Sequence, residues 1–377
     1  MKRIAVALTN RTNYSKLKPV LYALRDTGQV EVKLVLSSTI LLEKYGSAYV
    51  DIAADGFTID RKLDCVLMND SHESMAKTVG MSVIEHATYF GGLKPDLLLV
   101  VGDRFDMLAP VVSASMMNIP IAHIQGGEVS GTIDNVIRDV FTNFASLHFV
   151  ATEQSAENLR RFGIKAERIF NVGCPAVEYI THIDVGDAFD PARLLKVFKH
   201  PIDIAPREPY VLVMVHPDTT NRHDVDMDKV LASVDRSGQK ALLFYPNVDA
   251  HNSSIVSSIA KYKINPRFFM VRHMPLKGFV HAMAHASCMI GNSSAGIREA
   301  ASFGVPVINI GSRQENRERN RNVIDIGDDY ALLDEKLTQY SNHRFERQNL
   351  YYKPRCAETI ATEIVRFCDG KETRHAD

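Results

Sequence analysis

The run Leu97-Leu98-Leu99-Val100-Val101 is apolar at every position. A strand with water on one side alternates apolar and polar residues, so this run must be covered on both faces, as parallel strands between helices are. Similar short β-rich runs occur at 3–8, 30–37, 120–124 and 146–151, and again at 210–215, 241–245, 268–271, 287–290 and 306–309. Amphipathic stretches such as 15–26, 73–91, 105–117, 154–162 and 226–236 fall between them. Strand–helix alternation of this kind predicts an α/β fold with doubly wound parallel sheets.

A chain of 377 residues exceeds one ordinary core and fits two domains. The polar, proline-rich stretch 181–209 separates the two series of strands. We therefore expect one domain at 1–185 and a second at 186–354, with a last helix at about 355–369 crossing back to the first. The 45% hydrophobic and 24% charged residues suit a soluble globular protein, and a net charge of −1 leaves no basic footprint for nucleic acid. The five cysteines form no CxxC pair and read as buried thiols of a reducing compartment. Ile4-Ala5-Val6-Ala7-Leu8 reads as a first strand rather than a signal peptide. No apolar run approaches the roughly 20 residues that span a bilayer. The expectation is a cytoplasmic protein with no membrane partner.

In open α/β sheets ligands bind beyond the carboxyl ends of strands, and four such loops carry polar residues that folding alone does not require. Thr9–Lys16 follows the first strand and holds Arg11 and Ser15, which suit a phosphate at a strand-to-helix turn. A capped helix start with a surface Arg is the alternative. Gly102-Asp103-Arg104-Phe105-Asp106 follows the most apolar strand. Two carboxylates flanking an Arg are costly to bury unless paired, although an Asp cap on helix 105–117 would also explain them. The third loop runs from His123 to Asn135 and combines the pair Gly126-Gly127 with Glu128 and Asp134, two candidate acids or bases. The last group comprises His216-Pro217, Asn247 and Gly291–Glu299, where a small-residue loop opening a helix suits an anion. Glu299, placed in the first turn of that helix, is suited to accept both hydroxyls of a ribose. His281 and His285 share a helix face without a third ligand and read as packing residues. Arg313–Arg321 resembles a solvated charge run, but it follows strand 306–310, so Arg313 can face a ligand.

Taken in order, these segments resemble the hydrolysing UDP-N-acetylglucosamine 2-epimerases of sialic and related nonulosonic acid biosynthesis. The resemblance rests on 'NRTNYSKLKP' (10–19), 'GDRFD' (102–106), 'HIQGGEVSGTIDN' (123–135), 'VGCP' (172–175), 'HP' (216–217), 'PNVDA' (246–250), 'IGNSSAGIREA' (290–300) and 'PVINIGSRQ' (306–314). It implies a GT-B-like fold, two Rossmann-type domains with the active site in the cleft between them. It also implies a UDP-sugar substrate, no cofactor and no obligatory metal, and a homodimer or homotetramer. Carried over by motif, Asp103, Glu128 and Asp134 are the acid/base candidates, with Arg104 orienting them and His216 assisting. Arg11, Ser15, His216, Ser293, Ser294 and Arg313 would bind phosphates, and Asn247 and Glu299 the uridine end. The chain departs from the pattern at Asn13, Gln125 and Asn135, where relatives carry acids, and at Asp139, where His is usual. Each amide keeps a carboxylate's shape but cannot take a proton. The same chemistry on a UDP-2,4-diacetamido-2,4,6-trideoxyhexose is the near alternative. A GT-B glycosyltransferase and a non-catalytic sugar-nucleotide binder are the distant ones.

Overall fold

Strand β1 (Lys2–Leu8) pairs in parallel with β2 (Val30–Ser37) on one side and β4 (Leu97–Val101) on the other. The computed structural model describes residues 1–42, 48–67, 69, 71–190, 202–218, 225–247, 249–272 and 274–370. Among these, β3 (Ile59–Leu63), β5 (Ile121–Ile124), β6 (Leu147–Val150) and β7 (Ile169–Asn171) complete a sheet of order β3-β2-β1-β4-β5-β6-β7. A second parallel sheet comprises β8 (Tyr210–Met214), β9 (Lys240–Phe244), β10 (Phe268–Val271), β11 (Cys288–Gly291), β12 (Val307–Ile310) and β13 (Val323–Gly327). Its order is β10-β9-β8-β11-β12-β13. Strand order reverses at β1/β4 in the first sheet and at β8/β11 in the second. Open α/β sheets form ligand crevices at such switch points.

The chain divides into two compact units. One comprises Met1–Glu128, Asp134–Tyr179 and Tyr351–Asp377, the other Val129–Ile133 and Ile180–Leu350. In the first unit, alternate residues of β1 enter different cores. Ile4, Val6 and Leu8 face one side with Leu97, Leu99 and Val101, while Ala5 and Ala7 face the other with Leu98 and Val100. Helix Cys356–Cys368 closes the first of these cores, packing Ile360 and Ile364 with Leu17, Leu21 and Leu24 of helix Arg11–Asp26. The second unit repeats the arrangement, with Leu212 and Met214 on one face of β8 and Val211 and Val213 on the other. His281 and His285 are packing residues here. Both reach the Val185 carbonyl, from Nδ1 of His281 at 2.8 Å and Nε2 of His285 at 2.9 Å, and His281 Nε2 accepts from the Asp190 N–H at 2.9 Å. Residues 191–201 of the expected interdomain stretch lie outside the described residues.

Three strands were not read from the sequence: β3, β7 and β13. All are sheet edges, where one side lacks a neighbouring strand and burial is incomplete, so 'IDRKL' and 'IFN' carry no apolar run.

Among the described residues, the first unit also buries three histidines. Burial pushes His86 and His123 down to about 4 and His148 to about 3. An unfolded histidine titrates near ~6.5, so between these values the unfolded chain binds more protons. Stability is therefore full above about pH 6.5 and is lost as pH falls toward about 4, by up to about 3 kcal/mol per ring. Urea midpoints measured from pH 7 to 4.5 should decline steeply. A flat profile would contradict neutral burial of these rings.

Candidate functional site

In the first unit the Thr9–Lys16 segment is mostly helix rather than loop, and this corrects the reading above. Asn10 caps the helix by accepting from the Asn13 N–H at 3.0 Å, and the Asn13 side chain answers by accepting from the Asn10 N–H at 3.1 Å. The turn is thereby shortened, and Arg11 becomes the first helical residue. Burial depresses the Arg11 guanidinium below its ordinary value. Ser15 lies one turn further on, its hydroxyl donating to the Arg11 carbonyl at 3.3 Å.

After β4, neither Asp caps a helix. The backbone enters a short 3-10 turn, Phe105–Met107, through Arg104, with no side-chain capping bond. Asp106 is buried and accepts from Thr9 Oγ1 at 2.9 Å and Ser38 Oγ at 3.3 Å, with Arg104 Nε 3.6 Å away. Asp103 pairs instead with Arg138, a guanidinium with no solvent exposure on helix Ile133–Phe144. Arg138 Nη1 also donates to the Glu128 carbonyl at 2.6 Å and to Asn135 Oδ1 at 3.0 Å. Burial acts to lower the Arg138 guanidinium, but Asp103, Glu128 and Asp134 outweigh it and hold it above its ordinary value. One cation thus gathers the three acids singled out from the sequence. Arg138 itself was missed. The buried face of its helix is Ile137, Arg138, Phe141 and Thr142, so an Arg on the apolar stripe was the available signal.

The loop after β5 is held from beneath. Buried His123 donates from Nε2 to the Gly102 carbonyl at 2.8 Å, joining the two acid-bearing loops. Gly127 has φ +74°, and a Cβ there would stand 2.2 Å from the Ser155 carbonyl, so no larger residue fits.

The three amide departures share one property. Asn13 accepts at Oδ1 from Thr9 and Asn10 while Nδ2 donates to the Val101 carbonyl at 3.3 Å. Gln125 accepts from Lys16 Nζ at 2.9 Å and donates to Cys174 Sγ at 3.2 Å. Asn135 accepts from Arg138 and donates to Asp139 Oδ2 at 3.3 Å. Each amide donates where an ionised carboxylate has nothing to give. The replacements are therefore built into the hydrogen bonding of the first unit.

In the second unit the organiser is Asn292, after β11, which the sequence reading passed over as part of a small-residue loop. Its side chain clamps the His216 backbone from both sides, accepting from the N–H at 2.7 Å and donating to the carbonyl at 2.8 Å. Its carbonyl receives Arg313 Nη1 at 3.2 Å and Gln314 Nε2 at 2.9 Å. His216 Nδ1 accepts the Asn247 N–H at 3.2 Å, so the neutral ring carries its proton on Nε2. Gly291 makes the approach possible, since a Cβ at its φ of +136° would lie 2.0 Å from the Met214 carbonyl. Ser293 caps helix Ser294–Arg298. Glu299 corrects a second expectation. It closes that five-residue helix and leads into the 3-10 turn Ala300–Phe303, so it is not in the first turn. The run from Arg313 is only partly solvated, because Gln314, Arg317 and Asn320 are buried.

Residues 22–365 match the family model described as UDP-N-acetylglucosamine 2-epimerase. This chain belongs to the UDP-N-acetylglucosamine 2-epimerase family. Among its relatives, the UDP-N,N'-diacetylbacillosamine 2-epimerase (hydrolyzing) of Legionella pneumophila is 31% identical over 98% of this chain and 100% of its own length. The UDP-N-acetylglucosamine 2-epimerase of Neisseria meningitidis serogroup B is 29% identical over 86% of this chain and 83% of its own. A crystal structure of a Neisseria meningitidis UDP-GlcNAc 2-epimerase bound to UDP-GlcNAc superposes with a TM-score of 0.79 at 17% identity, covering 97% of this chain and 100% of that one. The epimerase likeness supports a GT-B-like fold of two parallel-sheet α/β domains. Among the described residues no helix is long and apolar enough to cross a membrane.

Proposed function

We propose that this epimerase-family chain is a hydrolysing enzyme, releasing UDP and a free 2-epimerised amino sugar from UDP-N-acetylglucosamine. The observation that carries the reading is that Asp103, Glu128 and Asp134, from the segments that follow β4 and β5, all act on the buried Arg138. In this mechanism one carboxylate removes the C2 proton while the C1–O bond breaks and its electron pair leaves with UDP. Water then adds to C1 of the glycal, and a second acid returns a proton to C2 from the opposite face. His216, with Nε2–H as donor, and Arg313 hold the diphosphate of the leaving group, with Arg11, Ser15, Ser293 and Ser294 as further phosphate ligands. Asn247 and Glu299 serve the uridine end. Family membership sets the glycosyltransferase reading aside.

A second substrate has a specific argument. The Legionella relative, matched over nearly the whole chain, is by name a hydrolysing enzyme for UDP-N,N'-diacetylbacillosamine, and a Campylobacter jejuni relative 29% identical is named for the GDP- or UDP-linked form of that sugar. Incubation with each UDP sugar in D₂O, followed by NMR, tests both. The expected result is free UDP together with a free sugar deuterated at C2. UDP release with hydrogen retained at C2 would sink the elimination mechanism. Release from only the diacetamido sugar would move the substrate to the second reading.

A further inference from the structure

We propose that Asn135 is a positioning residue for Asp103, acting through Arg138 as a neutral spacer between that guanidinium and the carboxylate of Asp139. Arg138 spans two acid-bearing segments, with Nη2 on the Asp103 carboxylate and Nη1 on the Glu128 carbonyl. Its own orientation is set from the same helix. Asn135, three residues earlier, presents Oδ1 to Nη1 at 3.0 Å, and its Nδ2 is turned to Asp139 Oδ2 at 3.3 Å. The amide therefore has a fixed sense, oxygen toward the cation and nitrogen toward the anion. With a neutral amide at this contact, Asn135 adds no negative charge to the acids that already act on Arg138. A carboxylate at 135 would add a further anion directly against the guanidinium, beside that of Asp103, and would have no proton to offer Asp139.

Around these contacts the cationic side chains are Arg138, Arg104 and Lys16, whose ammonium lies beside Gly102 and donates to Gln125 at 2.9 Å. Asp103 is faced by Arg138 from helix Ile133–Phe144 and acts on His123 of β5, which burial keeps neutral. Glu128 and Asp134 act on Arg138, and Asp106 lies beside Arg104. Asp139 is held above its ordinary value by burial, against the pull of Arg138. In such surroundings one more negative charge against Arg138 disfavours ionised Asp103.

The inference rests on Asp103 serving proton transfer, and its test separates the two. The variants are Asn135→Asp, Asn135→Ala and the exchange Asn135→Asp/Asp139→Asn, made in the whole protein. One readout needs no turnover: the ¹³C carboxyl titration of Asp103, assigned by its loss in Asp103→Asn. Asn135→Asp should move that titration up by about half a pH unit or more, whereas Asn135→Ala should not. The exchange restores a donor between positions 135 and 139 and so should recover thermal stability while leaving the titration displaced. The acidic limb of kcat/KM should follow the same order. A titration that moves equally in Asn135→Asp and Asn135→Ala, or in neither, overturns the proposal. If the parent releases no UDP from either sugar, the functional reading falls, and the carboxyl titration still decides the role of Asn135.

Discussion

Arg138→Met should destabilise the first unit by about 3–5 kcal/mol, the cost of removing one partner from a buried ion pair. Arg138 is fully buried and the Asp103 side chain is only 12% exposed, so solvent cannot take the guanidinium's place. The Glu128 carbonyl and the Asn135 amide lose a donor in the same step. Met fills much of the volume, which limits any cavity contribution and makes the lost pairing the dominant effect. Arg138→Lys should fall between parent and Met, because an ammonium keeps the charge but cannot fork to Asp103 and Glu128 together. Urea denaturation followed by a probe in the first unit measures this, since two units can unfold in separate transitions. A Met variant within about 1 kcal/mol of the parent would show that the pair contributes little.

That pair also marks where sequence reading stops. The central strands were legible because Leu97–Val101 and Tyr210–Met214 are buried on both faces and therefore apolar throughout. Loops after those strands were legible because polar residues stand there without a folding need. Arg138 was not read, because the loop reading stopped at Asn135, and Arg138 falls on an apolar stripe with Ile137 and Phe141 only once helix Ile133–Phe144 is drawn. Asn292 was hidden for a different reason. A loop asparagine is ordinarily a turn residue, and its clamp on His216 joins positions 76 residues apart through the β8/β11 pairing. Asn13, Gln125 and Asn135 looked like lost proton acceptors, since an amide's shape says nothing of whether its NH₂ is used. The structure supplies the acceptors: Val101, Cys174 and Asp139. Glu299 was misplaced because helix Ser294–Arg298 gives way to a 3-10 turn after five residues, with no proline to announce it.

Glu128→Gln should lower turnover of the UDP sugar by roughly 10²–10⁴-fold, the usual cost of losing a positioned proton-transfer group. Affinity for UDP should stay within about threefold, or about 0.6 kcal/mol. Asp103 is the less clean probe of the same idea. Asp103→Asn removes the carboxylate that is paired directly with the buried Arg138, so any loss of rate would be mixed with loss of structure. At Glu128 the hydrogen bond from Arg138 goes to the main-chain carbonyl, which a side-chain amide does not disturb. The substitution is nearly isosteric at a buried position, and it removes the ability to accept a proton while keeping an oxygen acceptor. Calorimetric titration with UDP and single-turnover measurement with the UDP sugar separate the two effects. C2 exchange in D₂O adds a third, because a variant that still exchanges C2 but no longer releases sugar has lost the later proton return rather than the first abstraction. Parent-like turnover in Glu128→Gln would remove this residue from the acid/base pair and leave the proton work to Asp103 and Asp134. Loss of UDP affinity in step with loss of rate would instead make Glu128 a binding residue.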